Sequence, residues 1–318
     1  MENLFTVARQ VAILFVLMGF GAAMRKAKFF RDNAIDGIVN VLILVVTPCL
    51  IVDVFQRPFD PSKLTGLGVA FAFAVLLHVV LIVLSRFVVR HRDEDVRRPL
   101  RLAAVFSNAG FMGVPLEQAI LGDAGVFYGV VYIVVFNLFM WSWGLRTMCG
   151  EGNWERGTGN RERGNRVKMI VNPGTVGLAL GAPLFFLSVE LPEVIAVPIH
   201  HMANLNTPLA MIVIGYALAG AAFGKVLRTG AVYVATGVRL VACPLLAIAA
   251  LYPFRAALDR NMMLAMVIAA SAPVAAMVSM FAQKFGRDVD VSVSVVSGTT
   301  LLSILTMPVV IALAMEVL

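Results

Sequence analysis

The chain has 318 residues, of which 60% are hydrophobic and only 14% are charged. A soluble domain carries about 25% charged residues, so this chain lacks the polar cover for a surface in water and must face lipid. The net charge of +7 is spread over short clusters between apolar stretches, which is typical of membrane-protein loops and argues against a nucleic-acid partner. Cys49, Cys149 and Cys243 are too few and too scattered for a disulfide framework or a metal site. We expect no metal and no cofactor.

The apolar stretches predict an all-α membrane protein. A helix needs about 20 apolar residues to cross the hydrocarbon core of a bilayer. Basic residues directly follow the first stretch, whereas a cleavable signal peptide carries its charge ahead of the apolar run, so we interpret the first stretch as a membrane helix. The sequence predicts ten spans, at residues 5–24, 34–55, 64–89, 101–121, 124–147, 172–190, 194–222, 228–251, 262–283 and 289–315.

The basic residues predict the orientation of these spans. The loops after odd-numbered spans hold 20 of the 26 Lys and Arg residues, and the loops after even-numbered spans hold 4. Positive charge is retained in the cytoplasm, so the odd loops are predicted to be cytoplasmic and both termini to lie outside the cell (plasma or inner) membrane.

The polar stretch at 150–168 predicts a cytoplasmic linker between two halves, a first five-helix repeat at 1–149 and a second at 169–318. An odd number of spans in each half inverts the second half, as in the inverted repeats of many transporters. Three pairs of short matches at offsets of 160, 163 and 164 support an internal repeat: Thr47-Pro48 with Thr207-Pro208, 107–110 with 270–273, and 121–123 with 285–288.

Spans four and nine are predicted to be interrupted near their middles. Proline removes a helical hydrogen bond and glycine permits open backbone, and such backbone is tolerated in a membrane only where it is buried in protein or lines a cavity. Matched interruptions in two halves indicate a transporter substrate site, where half-helix N-termini attract a carboxylate. The alternative is a simple kink at each proline. The candidate substrate residues are Asn108, Gly110, Gly113 and Pro115 in span four and Ser271, Pro273 and Ser279 in span nine.

The stretch Asn-Ala-Gly-Phe-Met-Gly-Val-Pro-Leu at 108–116 resembles the span-four motif of the auxin efflux carrier family. That family includes plant PIN-type carriers and bacterial malate and malonate permeases. The stretches 281–286, 299–303 and Met307-Pro308 are similar to its span-nine ending and its span ten. The chain departs from the family pattern at Val278, where plant members have proline, and at Met277, where many bacterial members have asparagine.

The resemblance implies a fold similar to those of the sodium/bile-acid symporters and NhaA, in which helices 4 and 9 cross. Spans 1, 2, 6 and 7 would form a scaffold and the other six a moving domain. The family also implies a homodimer through the scaffold. Its function would be the transport of small organic anions, such as malate, malonate or auxin-like acids, by an elevator-type movement.

Several polar residues lie within other predicted spans. Arg239, midway along span eight, is interpreted either as a charge partner for an anionic substrate or as a structural partner of a carbonyl or carboxylate. Thr47, Asn204 and Asn206 would face the crossing from the scaffold, with interhelical hydrogen bonding as the alternative. His78 is a candidate for proton coupling, with a packed, hydrogen-bonded histidine as the alternative.

Acidic Asp53 and Glu117 and basic Arg9 fall near the outer helix ends and are predicted to be interfacial or mutually paired. No nucleotide-binding loop or hydrolase motif occurs, so we expect a transporter rather than an enzyme, with an anion channel as the alternative function. Uniport, proton symport and sodium coupling all stay open.

Overall fold

The computed structural model of the protein describes residues 2–29, 32–149, 173–220 and 229–318. Within these residues all the elements are helices, which confirms the predicted all-α class. A helix satisfies its backbone hydrogen bonds within one segment, so it is the element that apolar surroundings favour. The predicted linker at 150–168 lies outside the described residues.

We number the helices α1 to α10 so that they correspond to the predicted spans. In the first half they are α1 (Glu2–Lys26), α2 (Asp32–Val41, Leu42–Val46 and Thr47–Phe55), α3 (Pro61–Val88), α4a (Glu94–Val105), α4b (Ala109–Gly113 and Val114–Leu121) and α5 (Asp123–Phe139, Met140–Gly144 and Leu145–Cys149). In the second half they are α6 (Pro173–Phe186), α7a (Glu193–Asn204), α7b (Asn206–Leu218), α8 (Gly230–Gly237, Val238–Ala242 and Cys243–Leu251), α9a (Arg260–Ser271), α9b (Met277–Lys284) and α10 (Val289–Val317).

Six helices of the described chain are long and apolar enough to cross a membrane, namely α1, α2, α3, α5, α8 and α10. The other four predicted spans contain shorter pieces, because α4, α7 and α9 are each divided and the described part of α6 is short. The protein is therefore a multi-pass membrane protein, and the number of ten spans stays a prediction.

Wide π-helical turns precede prolines in α2, α4b and α8. The turns Leu42–Val46, Ala109–Gly113 and Val238–Ala242 each end shortly before Pro48, Pro115 or Pro244. Proline has no N–H and clashes with the carbonyl four residues earlier, and a widened turn relieves that clash. In α2 the Leu42 carbonyl accepts hydrogen bonds from both the backbone N–H and the hydroxyl of Thr47, the latter at 2.9 Å.

The two halves resemble each other in packing and in turns. Helix α1 packs on α7b and α6 packs on α2, so the first helix of each predicted half contacts the second helix of the other. Gly122 after α4b and Gly286 after α9b both have a φ of 63°, which favours glycine. These glycines lie in the turns that match in sequence at 121–123 and 285–288. The inversion of the halves stays a prediction.

Charged side chains hold the helix ends together in two places. Near one end, Asp259 binds Lys63 Nζ at 3.0 Å and accepts a hydrogen bond from the Tyr128 hydroxyl at 3.2 Å. Near the other end, Arg287 binds Asp95 at 2.6 Å and donates to the carbonyl of Met148 at 2.9 Å. These contacts connect α3 and α5 to α9a, and α4a and α5 to the start of α10.

The loop residue Asp259 carries a pH-dependent contribution to stability. Burial alone would raise its pKa, but hydrogen bonds from Lys63 and from the backbone N–H groups of Met262 and Asn261 lower the pKa below its usual value. A lowered folded-state pKa stabilises the protein above the unfolded value, about 3.9, and this stabilisation is lost as pH falls through the folded value. We expect Asp259→Ala to cost about 1 kcal/mol at pH 7, partly through loss of the helix cap.

The measurement is thermal unfolding of wild type and Asp259→Ala in detergent at pH 7 and at pH 3, where the difference in Tm is expected to shrink. Asp36→Ala, which removes an exposed carboxylate from α2, serves as the control. A difference between wild type and Asp259→Ala that does not change with pH would contradict the assignment.

Candidate functional site

The interruptions of α4 and α9 lie side by side. Helix α4a ends at Val105 and α9a ends at Ser271, and the extended residues that follow form an antiparallel bridge between Ser107 and Val274. The Asn108 N–H donates to the Pro273 carbonyl at 2.7 Å, and the Ala275 N–H donates to the Phe106 carbonyl at 3.0 Å. Each broken helix thus satisfies backbone groups of the other, as buried backbone requires. Both helices are therefore interrupted rather than simply kinked, and in α4 the break precedes Pro115, which lies inside α4b.

A hydroxyl from α10 completes the backbone pairing at the crossing. The Thr299 hydroxyl accepts a hydrogen bond from the Val274 N–H at 3.2 Å. The Ser271 hydroxyl donates to the Ile268 carbonyl at 2.8 Å, inside the last turn of α9a. Ser271 and Pro273 therefore have structural partners at the crossing itself.

Arg239 is fully buried beside the crossing. It donates one hydrogen bond to the Val105 carbonyl at 2.8 Å and another to the Ala270 carbonyl, with Cys243 Sγ at 2.6 Å. These carbonyls belong to the last turns of α4a and α9a, where helices carry unpaired acceptors and partial negative charge. The guanidinium therefore caps both half-helices at once. This geometry matches the interpretation of Arg239 as a structural partner of backbone carbonyls.

A cavity of about 370 Å³ lies between α2, α7b, α5 and the crossing. Its wall is mostly apolar and includes the rings of Phe111, Phe136, Trp141 and Phe281. Its polar side chains are few: Thr47, Ser107, Asn108, Asn137, Asn206 and Lys284. A largely apolar wall with a few directed polar groups is typical of a small-molecule site.

Hydrogen-bond donors converge on this cavity from both sides. The N-terminal ends of α4b and α9b reach it at Gly110 and Met277, and the first N–H groups of a helix are free donors with partial positive charge. From the opposite wall, the Asn206 side chain is only 3% exposed, and its Nδ2 has no partner within the described residues. An unpaired buried donor is costly, so this amide is suited to a ligand that accepts hydrogen bonds. The arrangement suits a carboxylate.

The structure separates the predicted site residues into two groups. Those that line the cavity are Thr47, Asn108, Gly110 and Asn206. Those that do not line it are Gly113, Pro115, Ser271, Pro273, Ser279, Asn204 and Arg239.

Residues of the second group have other surroundings. Gly113 lies against α9a at Ala269, and the Ser279 hydroxyl donates to the Ala276 carbonyl at 2.8 Å. Asn204 is exposed at the end of α7a. Their predicted contact with substrate is not tested by these positions alone.

Three polar residues of the lining are not among the predicted site residues: Ser107, Asn137 and Lys284. Ser107 precedes Asn108 in the predicted interruption, so its position was available as a signal. Lys284 counts as a loop charge in the predicted topology and lies in the stretch 281–286 that resembles the family, but neither pattern indicates a cavity residue. Asn137 is a single amide in an apolar span, and no motif around it indicates a binding residue. In the structure its amide donates to the Ile133 carbonyl at 2.9 Å.

His78 lies away from the cavity lining. It is fully buried, and its Nδ1 is 2.8 Å from the Ala74 carbonyl. Its ring is stacked on Phe139 with 5.3 Å between centroids and also contacts Tyr132 and Phe106. These contacts correspond to the packed, hydrogen-bonded histidine. Its role in proton coupling stays an untested hypothesis.

Apolar helices and a cavity at the crossing of two interrupted helices define a multi-pass membrane protein of the transport type. The family model described as "Membrane transport protein" matches residues 6–311. The chain therefore belongs to this family, the auxin efflux carrier or PIN-like membrane transporters, which confirms the resemblance seen in the motifs. The family is one of transporters rather than enzymes. The comparison with curated proteins finds no match.

Proposed function

We propose that the protein is a secondary active transporter or uniporter for small organic anions. The observation that carries this proposal is the cavity at the crossing, whose lining includes the first turns of two half-helices and Asn206, a residue whose Nδ2 has no partner within the described residues. A carboxylate placed there would accept hydrogen bonds from both walls, and no protein group would have to leave an existing partner. Hydrogen bonds to a charged group contribute about 1.5–3 kcal/mol each, so two or three suffice for selective binding.

The walls favour a carboxylate with an apolar body. Most of the lining is apolar or aromatic, and a second ionised carboxylate buried against it would need a cation to compensate its desolvation. Lys284, at the end of α9b, is the cation of the lining among the described residues. This one cation can pair with one ionised carboxylate but not with two, so an auxin-like monocarboxylate fits the cavity better than malate or malonate.

The proposed mechanism is an elevator-type movement of the moving domain, here called the crossing domain (α3 to α5 and α8 to α10), along the scaffold (α1, α2, α6 and α7). Thr47 and Asn206 lie on scaffold helices, whereas Asn108 and Gly110 lie on the crossing domain. The bound anion would therefore sit between the two bodies, and a slide of one past the other would carry it across the membrane. The lining reaches Lys284 and Gly174, next to loops predicted to be cytoplasmic, so this state is proposed to face the cytoplasm of a cell with the carrier in its cytoplasmic membrane.

The remaining proposals concern assembly. The halves 1–149 and 169–318 would form one inverted-repeat unit. Two units would associate as a homodimer through helices 1, 2, 6 and 7. Chemical cross-linking in native membranes would test the dimer.

The function is tested by uptake of labelled malate, malonate and indole-3-acetate into proteoliposomes, with protein-free vesicles as the baseline. We expect saturable uptake of at least one acid, with indole-3-acetate favoured. No uptake of any of the three above the baseline would contradict the proposal. Unitary currents without saturation would assign the alternative function, an anion channel.

A further inference from the structure

A carboxyl group is buried without a partner on the same half-helix that reaches the cavity. Glu117, on α4b, is only 1% exposed, and its Oε2 has no hydrogen-bond partner within the described residues. The backbone of Gly129 on α5 lies against it, so closely that a Cβ there would be 1.8 Å from Oε2. The predicted interfacial or paired position for Glu117 is therefore wrong. A charged carboxylate in such surroundings is very costly, which favours the neutral acid.

No charged neighbour among the described side chains offsets that cost. Helix α4b packs against α1, α5, α7b and α9a. Among the described side chains of these helices, none of the charged or titratable groups forms a hydrogen bond or ion pair with Glu117: Arg9, Arg25, Lys26, Asp123, Tyr128, Tyr132, Arg146, Cys149, Tyr216 and Arg260. In the conformation described, a bound proton would neutralise the carboxylate without requiring a partner from the described side chains.

We propose that Glu117 is the proton-binding site of a proton–anion symporter. The inference rests on the proposed transport function and adds the coupling ion to it. The proton binds a Glu117 carboxylate oxygen on the side where the anion enters, travels as the neutral acid, and leaves to water on the other side. One proton then accompanies one anion, and a monocarboxylate would cross without net charge.

The coupling follows from the short distance between the two negative groups. Gly110 reaches the cavity and Glu117 lies seven residues later on α4b, a separation of about 10 Å at the helical rise per residue. At an effective dielectric constant of about 20, two unit charges at that distance repel strongly enough to change a binding constant roughly tenfold. Protonation of Glu117 therefore strengthens anion binding, and anion binding strengthens protonation by the same factor.

The packing of α4b also explains how the proton would be released. Two of its neighbours, α1 and α7b, belong to the proposed scaffold, whereas α5 and α9a belong to the crossing domain. A slide between the two bodies changes the scaffold side of the Glu117 environment and leaves Gly129 in place. Access of water from that side would allow the acid to ionise.

The test compares wild type with Glu117→Gln, which resembles the protonated side chain in shape and charge. Proteoliposomes take up whichever of malate, malonate and indole-3-acetate gives saturable uptake, with and without an inward proton gradient, after subtraction of protein-free vesicles. We expect at least fivefold stimulation by the gradient in wild type and none in Glu117→Gln, with exchange of internal for external substrate retained. Glu193→Gln, an exposed acid in the first turn of α7a, is the matched control and should behave as wild type.

Two results would overturn the inference and leave the transport function standing. One is saturable wild-type uptake that the gradient does not change, and the other is equal stimulation of wild type and Glu117→Gln. Absence of uptake of all three acids would overturn both the transport proposal and this inference. Should Glu117→Gln fail to fold, the pH dependence of substrate affinity decides: wild type should lose up to roughly tenfold in affinity as rising pH removes the Glu117 proton, and Glu117→Asp should show a displaced profile. Coincident profiles, or no pH dependence in wild type, would overturn it.

Discussion

Replacing Arg239 with alanine is expected to lower the free energy of unfolding by about 3 kcal/mol or more and to abolish transport. The guanidinium donates to the carbonyls of Val105 and Ala270, which end the two crossing half-helices. Each buried acceptor left unpaired costs about 1–3 kcal/mol, and the alanine also leaves a cavity. Loss of the shared cap would let the two half-helices separate. The hydrogen-bond donors that line the cavity would then be displaced as well.

Thermal unfolding in detergent, with uptake in proteoliposomes, measures this effect. Arg255→Ala removes an exposed arginine just beyond the same helix and should leave both unchanged. Arg239→Lys keeps the charge but lacks the planar fork that reaches two acceptors, so an intermediate loss is expected. An Arg239→Ala protein with wild-type stability and uptake would contradict the role of Arg239 as a cap.

Replacing Gly21 with alanine is expected to destabilise the scaffold by about 1–3 kcal/mol, because the added Cβ overpacks a close helix contact. That Cβ would lie 2.1 Å from the Ile212 carbonyl oxygen and 2.8 Å from its carbonyl carbon, both of them backbone atoms that cannot rotate away. On the facing helix, a Cβ at Gly215 would lie 1.9 Å from the Met18 carbonyl oxygen. Glycines of this kind let α1 and α7b approach closely, as small residues do in membranes.

The same helix supplies the control for this prediction. Gly19, two residues earlier, has no atom within 4 Å of its would-be Cβ, and Gly19→Ala should be neutral or slightly stabilising because alanine favours a helix. The midpoint of thermal unfolding in detergent distinguishes the two variants. Equal midpoints for Gly21→Ala and Gly19→Ala would show that α1 and α7b do not approach as described.

The interruptions could be predicted from sequence because their causes are local. Proline and glycine near Asn108 and Pro273 weaken the helical hydrogen bonds of their own segment. The partner of each break could not be predicted in this way. The bridge between Ser107 and Val274 joins residues far apart in the chain, and only the packing of two half-helices brings their free backbone groups together.

For the buried charged residues, too, the sequence predicts depth in the membrane but not the partner. The position of Arg239 inside an apolar span indicates that it needs a partner within the protein. A structural partner and an anionic substrate would both meet that requirement. Glu117 was placed at an interface from its distance to a helix end, whereas the rotation of α4b turns its side chain toward Gly129. Asp53, which was placed in the same group, lies 3.0 Å from His200 Nδ1. Sequence position gives depth along a helix but not the direction that a side chain faces.

The direction in which the side chain points also distinguishes Asn206 from Asn204, which were both predicted to face the crossing. Asn204 and Asn206 are two positions apart, which on a helix is more than half a turn, and a break at Leu205 divides them. Asn206 lies at the cavity and Asn204 is exposed. Helical phase at a break depends on tertiary packing, so the two amides could not be distinguished from the sequence.

The central claim is that the cavity at the crossing binds the transported anion. Asn108 and Asn206 line it from opposite sides, and the backbone bonds that hold the crossing do not use either side chain. Alanine at either position should therefore remove a donor to the anion and leave the fold intact. Loss of a hydrogen bond to a charged group corresponds to roughly a tenfold or greater loss of affinity.

The most direct measurement is the initial rate of substrate exchange in proteoliposomes at subsaturating concentration, for wild type, Asn108→Ala, Asn206→Ala and Asn204→Ala, with thermal stability checked for each. We predict at least a tenfold lower rate for Asn108→Ala and Asn206→Ala, and a rate near wild type for Asn204→Ala. Wild-type rates in both Asn108→Ala and Asn206→Ala would contradict a substrate site at the crossing.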